Sequence, residues 1–196
     1  LFTDIRRVFG VLLLIAIVAL PNTARAQEAS DSVAPEAATE LTSKPLVLAD
    51  KFMVSSANPH ASQAGYDALK KGGNAIDAMV AVQLVLGLVE PQSSGLGGGA
   101  FLLYFDSEKN SLVTFDGRET APTEAKSDMF LDETGQPMAF FDAVVGGKSV
   151  GTPGTVKLLY EVHKKHGKLD WTELFEPAIK LAEEGFEVSP RLNQLI

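Results

Sequence analysis

The sequence predicts a mixed α/β (α+β) fold, in which helices pack on an antiparallel pair of strands. Three observations carry this prediction. Residues 75–89 are apolar on nearly every side, which is typical of a helix buried in a protein interior. Two β-prone stretches, Ala100–Phe105 and Ser111–Phe115, are separated by a short turn and predict a hairpin. Thr155–His166 carries apolar residues at helical spacing, which indicates an amphipathic helix.

The folded region is predicted to begin near Leu46. Residues 46–48 and Phe52–Ser56 are β-prone and predict strands, which Asn58-Pro59 ends. Residues 61–70 then predict a helix, because Ala64, Ala68 and Leu69 are spaced for one face. The pair Gly72-Gly73 predicts its end in a left-handed cap.

Asn74 is predicted to cap the helix over 75–89, and Asp77 follows three residues later, near the positive end of the helix dipole. This helix is too short for a membrane span, which needs about twenty apolar residues. We therefore expect it to form part of a helix layer on a sheet.

The last third of the chain predicts one irregular strand and two helices. Phe140–Val150 is the irregular strand. The helix over Thr155–His166 is predicted to turn four residues inward: Val156, Leu159, Tyr160 and Val162. Asp170 and Glu173 form a predicted capping pair for a helix that runs to about residue 184 and is kinked or restarted at Pro177.

Charge and cysteine content exclude several classes of function. The formal net charge is -8. Residues 1–26 contribute +2, from Arg6, Arg7 and Arg25 against Asp4, so the rest of the chain carries -10. An acidic body without a basic run argues against nucleic acid as a partner. The absence of cysteine excludes disulfides, thiol catalysis and cysteine-ligated metals.

The first 26 residues have the pattern of a secretory signal peptide. A basic pair, Arg6-Arg7, precedes the apolar run 8–20, and Ala24-Arg25-Ala26 offers a small-x-small cleavage site. We expect a secreted or periplasmic protein that is cleaved after Ala26, or one anchored in the membrane by residues 8–20 if it is not cleaved. Residues 27–45 are rich in Ala, Ser, Glu, Thr and Pro and predict a flexible linker. N-terminal sequencing of the mature protein tests the cleavage.

The chain starts with leucine and stops on an apolar stretch at Ile196 without a polar cap. We therefore expect it to be part of a longer protein.

Arg118 is the first candidate for a binding residue. It stands at the end of the predicted strand 111–115, between a glycine and Glu119. A guanidinium group can form two parallel hydrogen bonds with a carboxylate, which lysine cannot do. An arginine held by a rigid strand on an acidic chain is thus a candidate carboxylate clamp, although many such arginines form only structural ion pairs.

Other motifs argue against nucleotide binding, metal binding and a serine nucleophile. The loop Gly95–Gly99 follows a helix and opens a strand, the reverse of a nucleotide-binding loop. His163 and His166 could face one metal ion, but no acidic partner completes the set, and we predict no metal site. Gly-x-Ser-x-Gly is absent, and no complete catalytic machinery is found in the chain.

Six motifs in order resemble the gamma-glutamyltranspeptidase family. The resemblance runs from about Leu46 to the end of the chain. The motifs are Met53-Val-Ser-Ser56, Gly72-Gly-Asn-Ala-Ile-Asp-Ala78, Glu90-Pro91, Gly95-Leu-Gly-Gly-Gly99, Asp116-Gly-Arg-Glu-Thr-Ala-Pro122 and Gly151-Thr-Pro-Gly154.

The resemblance implies a four-layer αββα sandwich of the N-terminal-nucleophile hydrolase type, with residues 46–196 as the first part of its domain. It implies a proenzyme that cuts itself, so that this chain's large subunit forms a heterodimer with the small subunit. The new N-terminal threonine of the small subunit, beyond Ile196, is then the nucleophile. It cleaves gamma-glutamyl amides such as glutathione and passes the glutamyl group to water or to an amino-acid acceptor, without a metal or organic cofactor.

The same resemblance implies that Arg118 binds the alpha-carboxylate of the glutamyl group. Apart from the resemblance, we expect Glu119, the next residue, to orient Arg118. No catalytic residue is expected within this chain, which alone would be inactive. Two alternatives stay open: an amide hydrolase of the same fold, similar to cephalosporin acylase, and a secreted glutamyl-binding fragment without catalysis.

Overall fold

The structure, a computed structural model, describes residues 45–195. The predicted signal peptide (1–26) and all but the last residue of the predicted linker lie outside the described residues. The chain divides into two units after Leu48. The second unit contains every helix and strand named below.

The described residues contain six helices, two short 3₁₀ turns and one hairpin, joined by loops. The mixed helix and strand fold predicted from the sequence is therefore confirmed. In chain order the elements are α1 (Pro59–Lys70), α2 (Ala75–Val89), β1 (Ala100–Asp106), β2 (Ser111–Gly117), α3 (Phe140–Val144), the 3₁₀ turn Gly147–Ser149, α4 (Thr155–His166), the 3₁₀ turn Thr172–Phe175, α5 (Glu176–Glu184) and α6 (Pro190–Leu195).

Helices α1 and α2 form a helical hairpin with well-defined caps. Gly72 lies between them with φ 97°, a conformation that favours glycine and confirms the predicted left-handed cap. Asn74 accepts hydrogen bonds from Ile76 N and Asp77 N, while Asp77 Oδ2 accepts from Asn74 N at 2.7 Å. This reciprocal capping box fixes the start of α2 at the predicted residue.

Helix α2 is the centre of the core. It packs against α1 and also contacts α4 and α5. The core residues of α2 that are at most 8% exposed are Ile76, Ala78, Val80, Ala81, Leu84, Val85 and Val89. Burying each larger aliphatic side chain among these contributes about 1.5–3 kcal/mol. Within residues 45–195, no helix combines the length and the apolar character needed to cross a membrane.

Strands β1 and β2 form the predicted antiparallel hairpin. Ala100 pairs with Gly117, and Asp106 pairs with Ser111. The turn is organised by Asp106, whose Oδ1 accepts from Glu108 N and Lys109 N, and Asp106 Oδ2 lies 2.7 Å from Lys109 Nζ.

The two faces of the hairpin differ in their surroundings. On the inner face, Leu102, Tyr104 and Phe115 pack against the cluster formed by Ile76, Leu158 and Val162 of α2 and α4. The outer face is apolar but bare: the exposed fractions are 66% for Phe101, 70% for Leu103 and 58% for Phe105.

Three predicted strands are wrong. Residues 46–48 and 52–56 form no strand. Phe52 and Val54 are more buried than Met53, the alternation of a strand, yet these residues have no partner strand among the described residues. The third, predicted over 140–150, is α3 followed by a 3₁₀ turn, because local bonds such as Val145 N to Phe141 O satisfy the backbone without a neighbouring strand.

Two details of the last third also differ from the prediction. Helix α4 buries Leu159 and Val162 as predicted, but its other buried residues are Thr155 and Leu158. Val156 and Tyr160 are each 46% exposed, because the stripe at positions 155, 158, 159 and 162 faces the core.

The second difference is that Asp170 and Glu173 do not form the predicted capping pair. The carboxylate of Glu173 forms an ion pair with Lys71 at 2.7 Å, and no side-chain cap is present at the start of the 3₁₀ turn Thr172–Phe175. The predicted restart near Pro177 is confirmed, since α5 starts one residue before it.

Candidate functional site

Arg118 directly follows β2 and is held there by local contacts. Its N–H donates to Asp116 Oδ1 at 2.9 Å, which fixes the backbone as the chain leaves the strand. The Arg118 side chain is 68% exposed. The backbone of this residue is therefore anchored, while its guanidinium group is open to a ligand.

Three loops from distant parts of the sequence meet at Arg118. Gly98 O accepts hydrogen bonds from both Gly154 N and Thr155 N at 3.1 Å. Thr120 and Thr152 pair through their backbones, with N···O distances of 3.3 and 2.8 Å. The structure thus brings together the glycine loop 95–99, the Asp116–Pro122 motif and the Gly151–Gly154 motif.

Glycines make this close approach possible. A Cβ at Gly117 would lie 2.6 Å from Leu158 Cβ, so the end of β2 can pack on α4 only without a side chain. A Cβ at Gly154 would collide with the carbonyl oxygen of Gly117. Both positions are close approaches of one backbone to another element.

Two cavities flank the peptide that joins Arg118 to Glu119. The Arg118 cavity has a volume of about 370 Å³ and lies between β2 and α4. Its lining includes Phe115, Asp116, Arg118, Lys157, Leu158 and Glu161. The glycine-loop cavity has a volume of about 440 Å³ and lies between α2, the glycine loop and Glu119. Its lining includes Gln83, Ser94, Gly98, Gly99, Glu119 and Thr155.

The side chains of Arg118 and Glu119 form a loose ion pair. Arg118 Nε lies 3.7 Å from Glu119 Oε2, beyond the range of a strong charged hydrogen bond. Glu119 is near enough to bias the orientation of the guanidinium group, and the guanidinium can still bind another carboxylate.

The buried carboxylate of Asp77 ties the start of α2 to the segment that follows α4. Asp77 is 0% exposed. Besides Asn74 N, it accepts from Lys168 N at 3.0 Å and from Leu169 N at 3.3 Å. His163 Nε2 lies 3.3 Å from Asp77 Oδ1 and 3.0 Å from Leu169 O. Both neighbours are acceptors, so we assign the proton to Nε2.

This network gives the two histidines structural roles. The ring of His166 packs 4.8 Å from that of Tyr104 on the inner face of the hairpin. Across residues 45–195, no group of three or more His, Cys, Asp or Glu side chains is placed to hold a metal ion. Sequence reasoning assigned Asp77 only a capping role, since its other partners lie about ninety residues away and leave no local signal.

Glu90, at the end of α2, is a second buried carboxylate. It is 4% exposed. Asn58 Nδ2 donates to it at 2.8 Å and Gln92 Nε2 at 2.6 Å. Burial raises the pKa of Glu90, but these hydrogen bonds, one from Ser189 and the charge of Arg191 outweigh burial and hold the pKa below its usual 4.5.

This lowered pKa predicts acid sensitivity. A carboxylate whose pKa is lower in the folded state contributes stability above pH 4.5, and that contribution is lost as the pH falls through the folded-state pKa. We expect Glu90→Gln to be less stable than the unchanged protein at neutral pH. We also expect its free energy of unfolding to fall less steeply below pH 4.5. Urea unfolding of both proteins across this range measures the difference, and parallel curves would contradict it.

Comparison with known proteins gives consistent matches. The family model described as Gamma-glutamyltranspeptidase matches residues 61–196. The chain is 47% identical over 144 residues to a glutathione hydrolase proenzyme of Bacillus subtilis (strain 168), which covers 74% of this chain and 24% of that protein. It thus spans about a quarter of the length of this relative.

Solved structures agree with the sequence match. The structure superposes on Helicobacter pylori gamma-glutamyltranspeptidase with a TM-score of 0.72 and 37% identity, covering 76% of this chain and 42% of the other. It is also similar to a cephalosporin acylase from Bacillus halodurans, with a TM-score of 0.60 and 29% identity over 81% of this chain and 30% of the other.

Proposed function

This chain belongs to the gamma-glutamyltranspeptidase family, and we propose that the protein containing it cleaves gamma-glutamyl amides such as glutathione. In this proposal the glutamyl group passes to water or to an amino-acid acceptor. The chain supplies substrate-binding residues of a large subunit. A threonine beyond Ile196, at the start of a small subunit released by self-cleavage, supplies the nucleophile. Without that threonine, residues 1–196 alone are inactive.

The observation that supports this proposal most is the placement of Arg118. Its backbone is anchored at the end of β2, and its side chain is 68% exposed beside a cavity of about 370 Å³. A gamma-glutamyl group carries a free alpha-carboxylate, which the planar guanidinium binds through two hydrogen bonds. We propose that Arg118 binds this carboxylate and that Glu119, 3.7 Å away, orients the guanidinium.

The chemistry assigned to the whole protein is acyl transfer. The threonine oxygen attacks the gamma-carbonyl carbon, and the amide C–N bond breaks as the amine leaves with the proton from the threonine. Water or an acceptor amine then attacks the resulting ester, and its proton returns to the threonine oxygen. Arg118 holds the far end of the glutamyl group throughout, so the carbonyl stays in one place for both attacks.

The direct test uses the complete protein with glutathione and a matched analogue, 4-aminobutanoyl-cysteinylglycine, which lacks only the alpha-carboxylate. We expect glutathione to release glutamate and cysteinylglycine, and the analogue to react at least tenfold more slowly, because one bidentate charged contact is lost. Mass spectrometry of the products measures both rates.

The two alternatives give other results in the same experiment. Equal rates with both compounds would favour an amide hydrolase closer to cephalosporin acylase. Binding of glutamate without any product would favour a non-catalytic binding protein. The chain shares 29% sequence identity with the cephalosporin acylase and 37% with the Helicobacter pylori gamma-glutamyltranspeptidase. We therefore prefer the gamma-glutamyl activity.

Export is part of the proposal. The signal-peptide pattern of residues 1–26 supports a secreted or periplasmic location for the protein, where extracellular glutathione would be its substrate.

A further inference from the structure

A long loop, residues 121–151, starts and ends beside Arg118. Its two ends are joined because the backbones of Thr120 and Thr152 pair, with N···O distances of 3.3 and 2.8 Å. Both threonines line the Arg118 cavity. The 121–151 loop is therefore closed at its base, and that base forms part of the wall of the candidate site.

The 121–151 loop is ordered by its own contacts and adds nothing to the core. Helix α3 contacts the 3₁₀ turn Gly147–Ser149, and Ser149 Oγ donates to Val144 O at 2.7 Å. None of residues 121–151 is buried. The loop therefore has a defined backbone while its side chains stay outside the packed part of the chain.

Four apolar residues of this loop form an exposed surface, which we call the loop patch. Phe140, Phe141, Val145 and Val150 are exposed by 55%, 64%, 74% and 59%. The rings of the two phenylalanines lie edge to face, with centroids 5.4 Å apart. Single exposed apolar residues are common on protein surfaces, but a group that includes two aromatic rings is typical of a protein–protein contact.

Charge and chain length indicate what covers the loop patch. The 121–151 loop has a net charge of -3, from five acidic residues against two lysines (Glu124, Asp128, Asp132, Glu133 and Asp142 against Lys126 and Lys148). Contact between the loops of two copies would therefore bring like charges together, which is unfavourable. The chain covers 24% of the Bacillus subtilis proenzyme, so most of a protein of that length lies outside residues 1–196.

We propose that the loop patch is an interface for the small subunit that begins with the nucleophilic threonine. This inference rests on the proposed function. If Arg118 holds the alpha-carboxylate, the gamma-carbonyl of the same glutamyl group must reach that threonine. The small subunit then lies within one glutamyl length of Arg118, where the loop also has its base. The loop patch belongs to neither strand, so this contact is additional to the sheet packing of the sandwich.

Photochemical cross-linking in the complete protein tests this interface directly. The photoreactive residue p-benzoylphenylalanine replaces Phe141, the protein is irradiated, and mass spectrometry identifies the peptide that becomes attached. We expect a peptide of the small subunit. Attachment to the large subunit or to a second copy, which mixed isotope-labelled and unlabelled protein would identify, would overturn the interface. So would the absence of any attached peptide.

A second variant gives an independent measurement. Val145→Thr is nearly isosteric, and at 74% exposure it should leave the large subunit folded. In the interface it would place a hydroxyl group in an apolar contact, so we expect the two subunits to separate about tenfold faster in urea. Val188→Thr makes the same exchange at an exposed valine outside the loop and should leave this rate unchanged. Equal rates for Val145→Thr and the unchanged protein would contradict the interface.

Failure of the proposed function gives a different result. If the unchanged protein neither cleaves itself nor hydrolyses glutathione, the proposed function is overturned. If it does both, and the residue at position 141 cross-links outside the small subunit, only the interface is overturned.

Discussion

Replacing Arg118 with lysine in the complete protein is expected to raise the KM for gamma-glutamyl donors at least tenfold. Lysine keeps the positive charge but presents a single ammonium group, so the two parallel hydrogen bonds to the alpha-carboxylate are lost. A charged hydrogen bond contributes about 1.5–3 kcal/mol, and about 1.4 kcal/mol corresponds to a factor of ten. Because the side chain is 68% exposed, the exchange should leave the fold intact.

Steady-state hydrolysis of glutathione measures this effect. Arg191→Lys provides the matched control, since it makes the same chemical change at an arginine that interacts with Glu90 and lines neither cavity. Its KM should stay within twofold of that of the unchanged protein. An unchanged KM for Arg118→Lys would remove Arg118 from the substrate site.

Replacing Asp77 with asparagine is expected to lower the free energy of unfolding by about 2–4 kcal/mol. The change is nearly isosteric, but it converts one acceptor oxygen into an NH₂ group. That group would face the N–H groups of Asn74 and Lys168 or the proton on His163 Nε2, all of which are donors. At 0% exposure no water can replace the lost acceptor.

Denaturant unfolding of the protein measures this loss. Asp170→Asn makes the same exchange at an exposed position and should change stability by less than about 0.5 kcal/mol. A loss below about 1 kcal/mol for Asp77→Asn would mean that the network relaxes around the amide and that Asp77 acts only as a helix cap.

The elements that were predictable from the sequence are those stabilised by their own residues. Helix α2 starts directly after Asn74, because the side chains of Asn74 and Asp77 form a capping box, and its apolar surface marks it as buried. The hairpin follows from two β-prone stretches and a short turn. The six motifs identified the family, which the family model and the solved structures confirm.

What the sequence did not reveal depends on partners distant along the chain. Residues 52–56 have the alternation of a strand, but they pair with no strand among residues 45–195. Asp77 resembled an ordinary cap, and its contacts with Lys168 and Leu169 appear only after α4 is packed. The glycines around Glu119 were visible as turns, while the carboxylate between them became evident only when loops 95–99 and 151–154 met.

The bare outer face of the hairpin has a consequence for the order of folding. In a sandwich, a sheet face is covered by a second sheet at about 10 Å. Residues 45–195 leave Phe101, Leu103 and Phe105 largely exposed, so a second sheet that covered them would be formed by residues distant along the chain. Contacts of such high sequence separation form slowly, since a long loop must close first. The helical hairpin α1–α2 can form early, because its contacts are local. Until the outer face of β1–β2 is covered, its exposed apolar side chains can bind other unfolded chains, so misassembly competes with folding at this step.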